Sequence, residues 1–135
     1  MNFKVLCSKF KVEIVKIEKF EDIGSWREAR NLVSDVYAVL GSCKDYGFKD
    51  QMQRAAISTM SNIAEGFDRG TNKEFVQFLV IARGSVSEVK SLCYAALDLG
   101  YLSESSFADI CKRCISLSNM INGFIRYLKN SDRKK

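Results

Sequence analysis

The sequence has no histidine and no proline. Without an imidazole there is no Ser-His-Asp or Cys-His nucleophile pair, and no zinc site with histidine among its ligands. A catalyst would have to rely on carboxylates, lysine, arginine, thiols or hydroxyls, so the chain does not read as an enzyme. Without proline, nothing interrupts a long helix from within. Long apolar runs are missing as well: no segment approaches the roughly 20 continuous apolar residues that span a bilayer, and no membrane partner is expected. Lys4 and Lys9 break up the first ten residues, which do not read as a secretory signal.

What is present suits a single globular domain. The 135 residues are 47% hydrophobic and 27% charged, enough for a core that needs neither disulfide nor metal, and no cofactor is expected. Five cysteines, an odd number, fit reduced thiols in a cytoplasm.

The net charge of +5 is unevenly spread. Residues 1–20 carry five lysines, including Lys4, Lys9 and Lys11, against two glutamates. Residues 126–135 carry Arg126, Lys129, Arg133, Lys134 and Lys135 against Asp132, and the stretch between is slightly acidic. Basic ends fit contact with nucleic acid or an acidic surface. They also fit solvated tails that only keep a protein soluble, which is the commoner use.

Glycines and caps divide the chain. Ser25-Trp26-Arg27-Glu28 and Thr71-Asn72-Lys73-Glu74 fit the S/T-x-x-E capping box, and Asp45 and Ser103 fit N-caps. Gly41, Gly66 or Gly70, and Gly100 follow apolar stretches where a left-handed C-cap would want glycine. The expected fold is all-α: an antiparallel up-down four-helix bundle with helices at about 25–40, 46–66, 72–99 and 104–129. Apolar residues at 3-4 spacing support it, as in Phe107, Ile110, Cys114, Leu117, Ile121, Phe124 and Leu128 of the last helix. The bundle is expected over 20–130, with a basic tail at 131–135 and a basic extension at 1–19. Val12, Ile14, Val15 and Ile17 alternate in part among charged residues, so the extension reads as a short strand or as an arm.

On the second helix, Gln51, Arg54, Ser58, Ser61, Asn62 and Glu65 form one polar stripe about 100° wide. Its apolar side is wider than one core requires, and the third helix also has apolar residues to spare. That surplus suggests burial against other subunits; a monomeric core with wide faces is the alternative. In the stripe, Arg54 and Asn62 are candidates for a phosphate or a base edge. The other reading is structural, with Ser58, Ser61, Asn62 and Glu65 bonding to Arg83, Ser85 and Glu88 of the third helix. Glu65 and Glu88 do not make a di-metal site, which would need further inward carboxylates and usually Glu-x-x-His motifs. Cys111-Lys112-Arg113-Cys114 falls within a helix, where cysteine behaves as a small hydrophobe rather than as a redox or zinc pair.

The stretch Asp50–Gly66 (DQMQRAAISTMSNIAEG) resembles the central motif of the bacterial 23S rRNA intervening-sequence proteins, also labelled S23 ribosomal proteins. The resemblance extends to Phe20-Glu21-Asp22-Ile23, Trp26-Arg27-Glu28-Ala29-Arg30, Glu74–Leu79, Ile81–Ser85 and Leu99–Leu102, covering about residues 20–128. It implies an up-down bundle that assembles as a homopentamer, with no known enzymatic activity. A more distant likeness is to the accessory protein of diversity-generating retroelements, a pentameric bundle that works with a reverse transcriptase and nucleic acid. Two features depart from the family pattern. Residues 1–19 look like an addition, and Gln53-Arg54 stands where many members have two adjacent arginines after the glutamine. The expected function is a non-enzymatic homo-oligomer that binds RNA or DNA through basic surfaces; the alternative is a protein–protein scaffold or accessory subunit.

Overall fold

Three helices of the bundle start at a side chain that satisfies an otherwise orphaned amide. Asp45 accepts from the Phe48 amide at 3.2 Å, Thr71 from Glu74 at 3.2 Å and Ser103 from Ser106 at 3.1 Å. The computed structural model describes residues 2–8 and 11–131, with side chains from Lys16 onward. The helices are α1 (Gly24–Val39), α2 (Tyr46–Phe67), α3 (Asn72–Asp98) and α4 (Glu104–Asn130). Each packs antiparallel on the next through a short connection, and α1 closes against α4. The core is the set of inward faces, from Leu32 and Val36 on α1 to Leu117 and Ile121 on α4.

The fourth start differs from expectation. Ile23, not Ser25, is the N-cap residue of α1, and Ser25 lies inside the helix with its buried Oγ unpartnered. Two interactions account for this. Ile23 is fully buried after a 3-10 turn at Phe20–Asp22, a turn fixed by the Asp22 carboxylate accepting from the amides of Glu18 and Lys19. Glu28, the other half of the expected capping box, is held instead by Arg113 of α4.

Ahead of the bundle, residues 1–19 contain more than one strand. β1 (Asn2–Ser8) pairs antiparallel with β2 (Lys11–Lys16), with Phe3 opposite Val15 and Leu6 opposite Val12. The first strand escaped the sequence reading because Val5, Leu6 and Cys7 run together and give no period-two pattern.

The glycines also divide differently from expectation. Gly70 and Gly100 take left-handed φ values of +92° and +77° at the ends of α2 and α3, whereas Gly41 does not. Gly66 is a buried residue within α2 rather than a cap. A Cβ there would lie 2.6 Å from Phe78 Cβ and 2.9 Å from Phe75 Cδ1, so α3 packs directly on the α2 backbone. Two turns earlier, Ser58 Oγ meets Ser85 Oγ at 3.0 Å, extending the close contact along the pair. Phe75 then packs edge-to-face on Phe67 at 6.0 Å and on Phe124 of α4 at 5.1 Å.

At the opposite end, the Tyr101 hydroxyl donates to Asp45 Oδ2 at 2.7 Å, tying the α3–α4 connection to the cap of α2. Phe48 packs against the Tyr101 ring at 5.4 Å. The Tyr101 hydroxyl and then the Phe48 amide hold the Asp45 carboxyl below its ordinary pKa. The Asp45 hydrogen bond is in turn the main reason the Tyr101 phenol lies above its own.

Two outcomes are expected from this packing. Gly66→Ala should destabilise by about 1–3 kcal/mol in thermal unfolding, because Phe78 Cβ cannot swing away and overpacking outweighs alanine's better helix propensity. Tyr101→Phe should lower Tm at pH 7. The pair's contribution is fully present between about pH 4 and pH 10. It is lost as pH falls through the lowered Asp45 pKa or rises through the raised Tyr101 pKa. The gap to wild type should therefore narrow from pH 7 towards pH 2; an unchanged gap would mean the hydrogen bond contributes nothing.

Candidate nucleic-acid interface

The last acidic residue of α4 is Asp109; from Ile110 to Ser131 its only charges are Lys112, Arg113, Arg126 and Lys129. Arg113 is turned inward against α1. Its Nε donates to Asp35 Oδ2 at 2.6 Å and its Nη1 to Glu28 Oε1, so one guanidinium engages both carboxylates of α1. Burial alone would lower the Arg113 pKa, but hydrogen bonding to Asp35 and the two carboxylate charges outweigh it and raise the pKa.

Arg113 offsets one of the two negative charges of Glu28 and Asp35, and the cations on α1 itself are Arg27 and Arg30, both exposed. Arg27 donates to the Glu21 carbonyl at 2.9 Å, and the Arg30 guanidinium stands 6.0 Å from the centroid of the Trp26 ring. Trp26 is held edge-on against Phe20 at 5.0 Å. Gly24, Arg27, Glu28, Arg30 and Asn31 on α1, with Met120 of α4, line an open cleft of about 480 Å³. In the sequence, these arginines stood out only as part of the Trp26–Arg30 motif. The signal that would have distinguished them, the acid-free run of α4, only becomes meaningful once α4 is known to lie against α1.

The structure does not bring the residues singled out from sequence together in one place. Arg54 pairs with Asp50 at 2.8 Å on the outside of α2, which weakens it as a phosphate contact. Gln51 and Glu65 are exposed, and Glu65 pairs with Arg69 at 3.6 Å. Ser58, Asn62 and Ser85 form a local network in which Asn62 Nδ2 donates to the Ser58 carbonyl at 2.8 Å and to its Oγ at 2.9 Å. Arg83 does not reach α2; it donates to Asn122 Oδ1 of α4 at 2.8 Å. Arg126 and Lys129 are exposed near the end of α4. Lys4 and Lys11 lie on β1 and β2, while Lys9, Arg133, Lys134 and Lys135 fall outside the described residues.

Thiol chemistry has little to work with. Cys93, Cys111 and Cys114 are buried and unpaired between α3 and α4. Burial, reinforced by Cys111, pushes Cys114 up to about 12, and Cys93 is raised further by the same effects. Among the described residues, no group of three His, Cys, Asp or Glu side chains is placed to hold a metal, and no helix is long and apolar enough to cross a membrane.

A model of the 23S rRNA-intervening sequence protein family matches residues 21–123. Comparison with curated proteins gives no match. Among solved structures, the chain is similar to a protein of unknown function from the S23 ribosomal protein family of Bacteroides thetaiotaomicron VPI-5482, with a TM-score of 0.66 at 18% identity. The similarity covers 76% of this chain and 94% of that one, and at this identity it shows the fold alone.

Arg113→Met should cost about 1–2 kcal/mol in urea unfolding, because partial exposure tempers the loss of two charge-assisted hydrogen bonds. Adding Glu28→Gln and Asp35→Asn should recover part of the loss. No recovery would mean that the three charges are not coupled.

Proposed function

The chain belongs to the 23S rRNA-intervening sequence protein family, and from that premise we propose that it is a non-catalytic homo-oligomer of the cytoplasm that binds RNA or DNA through basic surfaces. One observation carries this reading: α4 has no acidic residue after Asp109, and Arg113 takes up the two carboxylates α1 would otherwise present beside it. Both ends of the sequence add further lysines and arginines. Phosphate is the ligand chemistry such a surface favours, and neutralising it releases counterions. The missing imidazole and the raised, buried Cys93 and Cys114 thiols support the non-catalytic reading.

Self-assembly follows from apolar side chains that the single chain leaves outside. Val80, Ile81 and Tyr94 of α3 and Leu99 at its C-terminal cap are 42–56% exposed, more than a monomer needs to show on one helix. A pentamer, as the family resemblance implies, would carry about five times the +5 of one chain and bind phosphate steeply with falling salt. The same apolar residues favour the second reading, a scaffold that docks another protein without nucleic acid.

Solution mass and filter binding separate the readings. The proposal expects an oligomer that retains a labelled oligonucleotide at 50 mM salt and loses affinity by about a hundredfold or more at 200 mM. A monomeric mass would overturn the assembly. An oligomer without binding at low salt would leave the scaffold.

A further inference from the structure

We propose that the cleft between the start of α1 and the middle of α4 binds the phosphodiester backbone of a single-stranded nucleic acid, with Arg27 and Arg30 as its phosphate contacts. The inference rests on the nucleic-acid reading above and narrows it to one place.

Arg27 and Arg30 are three residues apart, so they share a face of α1 with Cβ atoms about 5–6 Å apart. Among the described residues, Arg54, Arg69 and Arg113 pair with carboxylates, whereas Arg27, Arg30, Arg83 and Arg126 appear in no ion pair, and Arg27 feels the charge of Asp22 without bonding it. Arg27 spends one donor on the Glu21 carbonyl, which fixes its direction and leaves other donors of its guanidinium to meet an anion. Arg30 is steadied by the Trp26 ring. The carboxylate in the cleft wall, Glu28, bonds Arg113 behind it, a guanidinium it shares with Asp35, so its charge is reduced but not cancelled. Asn31, whose amide lies 3.5 Å from Glu28 Oε2, adds a neutral polar group.

The shape favours one strand over two. The cleft is open, about 480 Å³, and Met120 lies close over Gly24, where an added Cβ would sit 3.3 Å from its Cε. Met120 is 38% exposed and gives a base an apolar surface beside the arginines. A duplex keeps its bases stacked inside, so it would offer this cleft phosphates but no base for Met120 to touch.

Trp26 is the sole tryptophan, so its emission reports on this cleft without a label. The full chain is titrated at 50 mM salt with 20-nucleotide oligouridylate, with oligothymidylate of the same length and with a 20-base-pair duplex, following Trp26 emission and, with labelled strands, anisotropy. The expected result is a Trp26 change on binding a single strand, with the duplex bound more weakly. The ratio of the two single-strand affinities tells ribose from deoxyribose. Arg27→Ala with Arg30→Ala should weaken single-strand binding about tenfold, flatten the salt slope by about 1.4 and abolish the Trp26 change. Arg54→Ala should leave all three unchanged, and unfolding curves verify that the variants keep the fold. A double variant that binds like wild type would overturn the cleft and leave the broader reading standing. Preference for duplex through the same arginines would overturn the single-strand assignment. No binding by wild type would overturn both.

Discussion

The bundle depends on how closely α2 and α3 approach. Gly66 offers no side chain at the crossing, so Phe75 and Phe78 rest against the α2 backbone, and the Ser58–Ser85 contact keeps the two helices together further along. The position of Phe75 then sets where Phe124 packs, while Arg83 fixes a second point of α4 through Asn122. With α4 located, Arg113 falls between Glu28 and Asp35, and the bundle closes on α1. One missing methyl group on α2 thereby influences the electrostatics of a face two helices away.

Pairing matters more than net charge in deciding which surface can meet an anion. The outer side of α2 carries Arg54 and Arg69, but each sits four residues from a carboxylate that answers it. Such exposed pairs contribute little to stability, about 0.3–0.5 kcal/mol, yet they cancel locally the field a phosphate would sense. On α1, Glu28 and Asp35 share the one guanidinium of Arg113, while Arg27 and Arg30 stand outside in no ion pair. Arg113 thus joins two helices and segregates charge in the same contact.

The helices were legible because their signals are local. Apolar residues at 3-4 spacing and the caps at Asp45, Thr71 and Ser103 each act within a turn or two, and the boundaries lie within about one residue of those expected. The failures came where a distant partner outbids a local one. Glu28 completes a capping box in the sequence, yet Arg113, 85 positions away, takes it. Gly66 resembles a helix stop until Phe78 of α3 arrives beside it. The candidate cleft was hidden for the same reason: Trp26–Arg30 was visible as a motif, but nothing near it in the sequence indicates that its acidic member bonds an arginine of α4.

The two proposed properties, assembly and phosphate binding, depend on each other. A cleft with two arginines makes few contacts, and single contacts to phosphate are weak at physiological salt. Several linked copies change this, because each further cleft engages a strand already held nearby and the effective concentration rises without new contacts. The geometry permits both at once. The apolar side chains left outside on α3 lie on the helix diagonally opposite α1, so copies joined through α3 would leave the α1–α4 clefts open to solvent. Joined through α1 they would bury Arg27 and Arg30, at the cost of desolvating two guanidiniums. Assembly through α3 is therefore the arrangement compatible with the proposed cleft.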